Sequence, residues 1–459
     1  MSKYHLYLIH AKELTKNPEK SFLFILVLNK TNFARNTHIS RRLKINILQG
    51  WGIYMKICII GAGAQGSVIA KILAEDPEID KVVLTDINTQ LLQRVAKKID
   101  NSKLSTERVD ASNADDLAKV LKGTDVVINA ALTYFNLPIF NSALKHGANY
   151  VDLAENWPLR ESFLENLKTS DKWQKAGLTA VKSQGITPGI TNVLARYAAD
   201  QLDKVEEIHI KSGWKNSEEG KLVPTWSPGW SVEMALLMWT ADPIVYENGE
   251  YKTYPPFSGV ENHVFPEPMG PRTLALVEHD EAVTLPHFIG KGVKYVDFKE
   301  SIDIIAGILI NLGLAGMEAI EVKGVNVKPL DVLLKLAKPA IEEIEEMEET
   351  PEFQKLRGEE VFSCNVAQVI GEKAGKKVEH YVYLNTSISD MREWMRRYGT
   401  TNGWVPIPAA VTAIMLAKGE IQAKGVISPE CLEPEPFMRK LSEMGIGNFQ
   451  LITKKQVAG

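Results

Sequence analysis

The chain has 459 residues, 45% of them hydrophobic and 24% charged, with a formal net charge of −4. That length exceeds one core and suits two domains plus an appendage, and the near-balanced charge gives no bulk electrostatic case for a nucleic-acid partner. Three widely spaced cysteines, Cys58, Cys364 and Cys431, exclude a disulfide framework or a close-spaced metal knuckle and point to a reducing, cytoplasmic compartment.

Residues 1–54 differ in texture from the rest. They hold nine Lys or Arg against two acids, Glu13 and Glu19, leaving −11 for the remainder. The apolar run Ser21–Leu28 is far shorter than a membrane span, and it has neither the position nor the cleavage site of a signal peptide. Met55 directly precedes a strand pattern. The expectation is that Met55 is the natural start and residues 1–54 an upstream basic leader. The alternative is a basic arm for oligomerisation or anchoring, and the intact mass of the native product separates the two. No membrane partner is expected.

From Met55 the pattern alternates strand and helix, as a doubly wound parallel sheet requires. Lys56–Ile60 is a short apolar strand that opens directly into Gly61-Ala-Gly-Ala-Gln-Gly66, and Ser67–Ala74 follows as a helix. In this G-x-G-x-x-G, Gly61 permits a tight turn, Gly63 lets backbone approach a pyrophosphate, and Gly66 lets the helix pack on the strand. Ala64 and Gln65, within this turn, are candidate cofactor contacts, and the free N–H groups and dipole of the helix that follows favour phosphate. The next strand, Lys81–Asp86, ends in an acid 20 residues after Gly66. That is where a carboxylate meets a ribose 2′-hydroxyl and repels a 2′-phosphate. Because Ile87-Asn88-Thr89 follows with no Arg, NAD is expected over NADP.

The alternation continues. Helices are expected over Gln90–Asp100, Ala114–Lys122, Pro138–His146 and Trp157–Lys175. Strands are expected at Ser105–Val109, Asp125–Ala131, Asn149–Asp152 and Thr179–Lys182, the last being the sixth of the sheet. Several are near-continuous apolar runs, as strands covered on both faces should be. Beyond Gly189 the texture changes. Thr191–Leu202 predicts a helix and Val205–Gly213 a half-exposed strand. Alternating segments follow at Ile244–Thr253, His263–Phe265, Thr273–Glu278, Lys294–Lys299 and Val378–Leu384, punctuated by Pro and Gly. This predicts a second domain of α+β type with a mixed or antiparallel sheet, one face covered by helices at Trp230–Thr240 and Ile302–Leu312. The acidic run Glu342–Glu349 suits a solvated helical face. Pro406–Lys418 predicts one more buried helix, returning to the first domain. The expected organisation is therefore a Rossmann domain over 55–190, a substrate and dimerisation domain over 191–395, and a returning segment over 396–459.

With these pieces in order, the chain resembles the saccharopine dehydrogenase family, including the related L-lysine 6-dehydrogenases. The resemblance rests on Gly61–Gly66, Asp125-Val-Val-Ile-Asn-Ala130, Gly147-Ala-Asn-Tyr-Val-Asp152, Gly185-Ile-Thr-Pro-Gly-Ile-Thr-Asn192, Ala409–Gly419 and Gly425-Val-Ile-Ser-Pro-Glu430. Phe265–Gly270 and Thr284-Leu-Pro286 look closer to the lysine 6-dehydrogenase branch. Those relatives carry Tyr-Pro-Gly-His or similar after the later strand, where Tyr295–Ser301 here is YVDFKES. The resemblance implies hydride transfer between an amine C–N bond and a nicotinamide, with a small-molecule amino-acid or amine substrate and a homodimer as the assembly. Alternatives carried forward are an L-lysine 6-dehydrogenase, a carboxy-polyamine dehydrogenase, and a nucleotide-binding sensor without turnover.

In open α/β sheets ligands lie at the C-terminal ends of the strands. That rule nominates Asn129, Ala130 and Ala131 for cofactor contact. It also nominates Asp152 and Glu155, as ammonium partners or proton acceptors, and Gln184, as catalytic candidates. Gly185-x-x-Pro188-Gly189-x-x-Asn192 is a rigid turn into a helix. The resemblance places it beside nicotinamide and substrate, with Gly185 and Pro188 on the cofactor side and Gly189 and Asn192 on the substrate side. Trp230 and Ser231, which open a helix, and Thr400 and Thr401, before the returning helix, complete the candidate substrate contacts. Arg272, Lys294 and Lys299 are candidate partners for a substrate carboxylate. His263, His279 and His287 lie on separate segments without metal-ligand spacing, so no metal is expected; His279 is a possible proton shuttle.

Overall fold

The computed structural model describes residues 7–8, 25–26, 54–215, 228–337, 339–342 and 361–455. Residues 1–53 and 54–459 are separate compact units. In the first, Tyr7–Leu8 pairs antiparallel with Ile25–Leu26. The expected leader otherwise lies outside the described residues, as does the acidic run after Glu342.

The first sheet of the larger unit is wholly parallel. Its strands are β1 (Lys56–Ile60), β2 (Lys81–Asp86), β3 (Leu104–Arg108), β4 (Val126–Asn129), β5 (Asn149–Asp152) and β6 (Thr179–Val181), joined by a late-coming strand, β17 (Gly425–Ile427). The order is β17-β6-β5-β4-β1-β2-β3. The chain leaves β1 toward β2 and β3, then restarts on the opposite side at β4, so a crevice opens above β1 and β4 where the winding reverses. Alternate residues of β1 serve opposite cores: Ile57 and Ile59 face one cluster, Cys58 and Ile60 the other. Burial pushes the Cys58 thiol up to about 12, which leaves it a small apolar filler.

Helices α1 (Ala64–Glu75), α2 (Thr89–Ile99), α3 (Ala114–Leu121) and α4 (Asn136–His146) connect these strands. The expected single helix over 157–175 is two, α5 (Leu159–Leu167) and α6 (Ser170–Ala176). The break has a local cause: the Thr169 amide and hydroxyl both bond the Asn166 carbonyl, at 3.0 and 2.7 Å, closing the turn early. Under β4 and β5 lies an aromatic trio. Phe140 packs edge-on to Tyr150 at 5.4 Å and tilts over Trp173 at 4.9 Å.

After α7 (Ile190–Asp200), β7 (Lys204–Trp214) starts a nine-stranded mixed sheet. Its other early members are β8 (Ile244–Glu247), β9 (Glu250–Thr253), β10 (Glu261–Phe265), β11 (Gly270–Leu276) and β12 (Tyr295–Ser301). Between them lie α8 (Val232–Thr240) and α9 (Glu281–Ile289). A small hairpin, β13 (Ile320–Val322) and β14 (Val325–Val327), falls between α10 (Ile304–Asn311) and α11 (Pro329–Leu336). The long hairpin β15 (Val361–Lys373) and β16 (Lys376–Ser387) and the last strand, β18 (Phe449–Lys455), complete the sheet. The main order is β9-β8-β12-β7-β15-β16-β18; β7 and β12 run parallel, the rest antiparallel. The fold class read from the sequence, a Rossmann sheet with a second domain carrying a mixed sheet, is the one observed.

Several elements depart from the sequence expectation. Helix α9 contains Pro286, which reads as a helix breaker. β17 is three residues long and finds its place only beside β6. The strand expected at 378–384 is one arm of a 27-residue hairpin turning at Ala374-Gly375, both with positive φ. Helix α10 departs from expectation in another way: only Ala306 is buried, while Ile304, Ile305 and Ile308 are exposed. After α12 (Ile388–Tyr398), helix α13 (Pro406–Ala417) is buried almost throughout and packs on α1, followed by α14 (Pro434–Glu443).

Trp173 is fully buried in the aromatic trio. Trp173→Ala is expected to lower unfolding free energy by about 3–5 kcal/mol, measured by urea denaturation.

Candidate active site

The glycine turn after β1 is built for close backbone approach. Gly61 has φ +103°, and a Cβ there would lie 2.7 Å from the Ala130 carbonyl. At Gly66 a Cβ would lie 1.9 Å from the Gly61 carbonyl oxygen, whereas at Gly63 it would meet nothing within 4 Å. Two glycines are thus required by the protein's own packing, and the middle one faces open space. Helix α1 then begins without a side-chain cap and without an acid in its first turn. Its amides and dipole are left for an anion. Ala64 and Gln65 form that first turn, and Gln65 Oε1 is buried with no partner among the described residues.

At the end of β2, Asp86 accepts from the Ala62 amide through one oxygen and from the Asn88 amide through the other, both at 2.8 Å. The carboxylate is thereby fixed at the rim of the crevice, with Ile87 beside it 57% exposed. These features fit a dinucleotide: an anion cradle, an open glycine and a carboxylate one strand away.

On the other side of the crevice, Asn129 and Asp152 are register partners at the ends of β4 and β5. Asn129 Nδ2 donates to Asn136 Oδ1 at 2.7 Å, and Asn129 Oδ1 accepts from the Ala131 amide at 3.1 Å, so Asn129 shapes the turn that carries Ala130 and Ala131. Beyond them lies a group not foreseen from the sequence. Lys182, 0% exposed at the end of β6, donates from Nζ to Asp152 Oδ2 and lies 3.3 Å from Glu155 Oε2. Its ammonium also sits 5.4 and 5.3 Å from the ring centroids of Phe140 and Tyr150, close enough for cation–π attraction. The available signal was a lysine ending a fully buried strand, Thr179-Ala-Val-Lys182.

Asp152 is fully engaged. Besides Lys182, Oδ2 accepts from the Tyr150 hydroxyl at 3.0 Å, and Oδ1 accepts from the Ser183 amide at 2.6 Å. Burial raises its pKa against the pull of Lys182. Lys182 is raised too, because its two carboxylates outweigh desolvation, so the ammonium keeps its proton. Glu155 accepts from the Asn156 amide and the Ser162 hydroxyl, both 2.9 Å, and from Asn166 Nδ2 at 3.2 Å.

The second domain reaches the same cluster through the loop before α9. Asp280 Oδ1 accepts from the Ser183 hydroxyl at 2.6 Å and from the Glu155 amide at 3.1 Å. Next to it, His279 stacks on Phe298 at 3.8 Å and pairs with the Glu281 carboxylate, which holds its pKa up near 9 despite burial. Sequence reasoning named His279 but missed Asp280, Glu281 and Ser183.

The other nominated residues divide. Gln184 is buried, donates its amide to the Asp152 carbonyl at 2.8 Å, and leaves both ends of its carboxamide without a partner among the described residues. Gly185 and Gly189 bridge each other across Pro188, and a Cβ on Gly189 would lie 2.1 Å from the Gly185 oxygen. Asn192 is committed internally: Oδ1 takes the Gly189 amide, and Nδ2 donates to Thr284 Oγ1 and Glu430 Oε2. Ser231 caps α8 through the Met234 amide, while Glu233 accepts from the Tyr134 hydroxyl at 2.8 Å, joining Trp230 and Ser231 to the loop after β4. Thr400 and Thr401 are buried, and their neighbour Asn402 donates to the Gly229 carbonyl at 3.1 Å. The nominated bases lie elsewhere: Lys299 pairs with Glu261 at 2.6 Å, Arg272 donates to its neighbour Pro271, and Lys294 is exposed. His263 bonds the Tyr381 hydroxyl, and His287 packs against Phe163. Among the described residues no group of three or more His, Cys, Asp or Glu could hold a metal ion, and no helix is long and apolar enough to cross a membrane.

Two family models match in succession: the saccharopine dehydrogenase NADP binding domain over residues 57–181 and the saccharopine dehydrogenase C-terminal domain over 185–446. Carboxyaminopropylagmatine dehydrogenase of Synechocystis sp. is 26% identical over 85% of this chain and 96% of its own length. Carboxynorspermidine synthase of Vibrio cholerae is 26% identical over 86% of this chain and 96% of its own. Among solved structures, apo saccharopine dehydrogenase (L-Glu forming) from Saccharomyces cerevisiae has a TM-score of 0.61 at 16% identity, covering 88% of this chain and 100% of that one. Homospermidine synthase from Legionella pneumophila in complex with NAD has a TM-score of 0.59 at 16% identity, covering 88% and 91%. The chain belongs to the saccharopine dehydrogenase family.

Removing one partner of a buried ion pair strands the other. Lys182→Met is expected to cost about 3–5 kcal/mol of stability, and adding Asp152→Asn to recover part of that loss, read by denaturant unfolding of the single and double variants.

Proposed function

We propose that this family member, an NAD(P)-dependent dehydrogenase of amino-acid and amine C–N bonds, acts on a secondary amine joining an amino-acid carbon chain to a polyamine. One observation carries the substrate reading. Two buried carboxylates, Asp152 and Glu155, hold a single ammonium, Lys182, and a third, Asp280, joins them through the Glu155 amide, so the cluster carries more carboxylates than its one lysine offsets. A buried excess of negative charge is costly unless a cation joins it. The relatives named for carboxyaminopropylagmatine and carboxynorspermidine support this, because both names describe a carboxylated amine with several nitrogens.

The dinucleotide, when bound, supplies the hydride acceptor. In this reading the amides of α1 and the open face of Gly63 hold its diphosphate, Asp86 accepts from the adenosine ribose, and Ile87 supports the adenine. Asn129, Ala130, Ala131, Gly185 and Pro188 line the nicotinamide half, while Gln184 offers its unpartnered carboxamide. Asp152 and Glu155, locked by Lys182, set the negative field that draws the substrate ammonium. Gly189 and Asn192 hold the turn in shape, and Trp230, Ser231, Thr400 and Thr401 close the substrate side. NAD is favoured over NADP because the fixed Asp86 carboxylate opposes a 2′-phosphate. Arg108, opposite Asp86 on β3, is the counter-observation that would let NADP in. The reading includes a homodimer, for which the exposed Ile304, Ile305, Ile308 and Leu312 offer an apolar face. It also includes a cytoplasmic setting, consistent with free, buried Cys58 and Cys364.

The substrate reading is tested by incubating the enzyme and NAD with carboxynorspermidine, saccharopine and lysine and following NADH. Turnover of the polyamine derivative at least tenfold above the others is expected; preference for saccharopine or lysine would refute it. Asp86→Ala is expected to narrow the NAD-over-NADP ratio of kcat/KM by about tenfold or more, as one lost charged hydrogen bond implies.

A further inference from the structure

Asp280 occupies the N-cap position of α9, where an Asp side chain ordinarily accepts the amides of the first turn, yet it makes no such cap. Its carboxylate turns away and reaches across to the first domain. Both donors that it meets, Ser183 Oγ and the Glu155 amide, bind Oδ1. Oδ2 has no donor among the described residues, although Asp280 is only 6% exposed. The neighbouring carboxylates differ. Both oxygens of Asp152 and of Glu155 are engaged, Glu281 pairs with His279 and accepts from Thr191 Oγ1, and Glu278 holds the Ile244 amide at 2.7 Å. Glu430 Oε1 is likewise buried without a partner among the described residues and Glu278 is held through Oε2 alone, but neither bonds Ser183 or Glu155. Asp280 combines an oxygen without a donor with an anchorage in the Asp152–Lys182–Glu155 network.

A second observation concerns the anchor. Ser183 has φ +62°, a conformation that costs a non-glycine residue free energy and persists where surroundings enforce it. Here the enforcement is its amide on Asp152 and its hydroxyl on Asp280. The strained residue places Asp280 two hydrogen bonds from Asp152, itself opposite Asn129 at the nicotinamide side of the crevice. Gln184, with its unpartnered buried carboxamide, follows directly.

We propose that Asp280, contributed by the second domain, is the catalytic residue that receives the reacting nitrogen of the substrate and takes its proton. This deepens the amine-oxidation reading above and rests on it. An ammonium N–H donates to Oδ2; the N–H bond breaks and the proton passes to the carboxylate. The electron pair left on nitrogen forms the second bond to carbon as hydride departs to the oxidised dinucleotide. In the reverse direction the carboxyl returns the proton to the new amine. Asp152 keeps its place as the anchor of Lys182 and Ser183, because three donors already occupy its two oxygens and leave none for the substrate nitrogen.

The groups facing Asp280 are Ser183 just after β6, Glu155 from the loop after β5, and Glu278, His279 and Glu281 from its own segment; burial dominates them and raises its pKa to about 6. A base must be deprotonated to act, so kcat/KM is expected to fall tenfold per pH unit below about 6.

The experiment compares wild type, Asp280→Asn, Asp280→Glu and Ser183→Ala, using NAD and carboxynorspermidine, with saccharopine in parallel. Asp280→Asn is expected to lose 100-fold or more in kcat, to lose the acid limb near pH 6, and to keep its KM for NAD within twofold. Calorimetric binding of the amine to the NAD complex is expected to weaken as well. Asp280→Glu is expected to recover part of the rate. Ser183→Ala removes a donor from Oδ1 and is expected to move the acid limb to higher pH and to lower kcat by less than Asp280→Asn does, a signature still available if Asp280→Asn fails to fold. A folded Asp280→Asn enzyme with kcat within threefold of wild type and an unchanged limb would overturn the proposal, as would an unmoved limb in Ser183→Ala. If wild type binds NAD but neither binds nor oxidises either amine, the amine-oxidation reading itself fails; turnover without sensitivity to Asp280 refutes this assignment alone.

Discussion

A lysine ammonium with no exposure to water needs compensation from every direction, and the geometry around Lys182 is organised by that need. Removing such an ion from water costs several kcal/mol even after relaxation. Asp152 and Glu155 supply opposite charge, and Phe140 and Tyr150 present aromatic rings within cation–π range. Each partner then requires its own support. Tyr150 is held by Phe140 and Trp173, Glu155 by Ser162 and Asn166, and Asp152 by Ser183. The early end of α5 follows from the same network, since Asn166 turns its amide to Glu155 while its carbonyl is taken by Thr169.

The two sheets meet at this charged knot. The first contributes strand ends, where Asn129, Asp152 and Lys182 lie on adjacent strands. From the second come the loop ahead of α9, carrying Asp280, and the start of α8, bonded to Tyr134. Asn192 ties α7 to α9 and to the Glu430 turn, so the late strand β17 belongs to the same construction. The final quarter of the chain therefore serves both sheets: β17 extends the parallel one and β18 closes the edge of the mixed one. Buried carboxylates remain in excess throughout, and burial pushes Glu278 up to about 8 and Glu430 to about 7. A cationic ligand would relieve what protonation relieves in its absence.

The nucleotide half was legible from short-range pattern because its requirements are local. A glycine is needed at 61 for its backbone angle and at 66 because a Cβ would strike the turn only five residues earlier. Asp86 ends a strand whose apolar run announces it. Long-range partners left weaker traces. β17 is three residues long, β18 lies at the far end of the chain, and Pro286 masks α9. Asp152 and Glu155 could be nominated from their place at a strand end, but nothing in their neighbourhood revealed that Lys182 would occupy them.

The sequence by itself determined the alternating strands and helices, the glycine turn and the acid that follows it, since each depends on residues within a few positions of one another. It also determined that a second, mixed sheet would follow, from alternation and the density of Pro and Gly. Tertiary structure alone decided which carboxylates keep a vacant oxygen, which are neutralised by Lys182, and that Asp280, 97 residues beyond Ser183, would share a hydrogen bond with it. Electrostatic roles inside a buried site are set by distances and desolvation, and neither is written in the order of the residues.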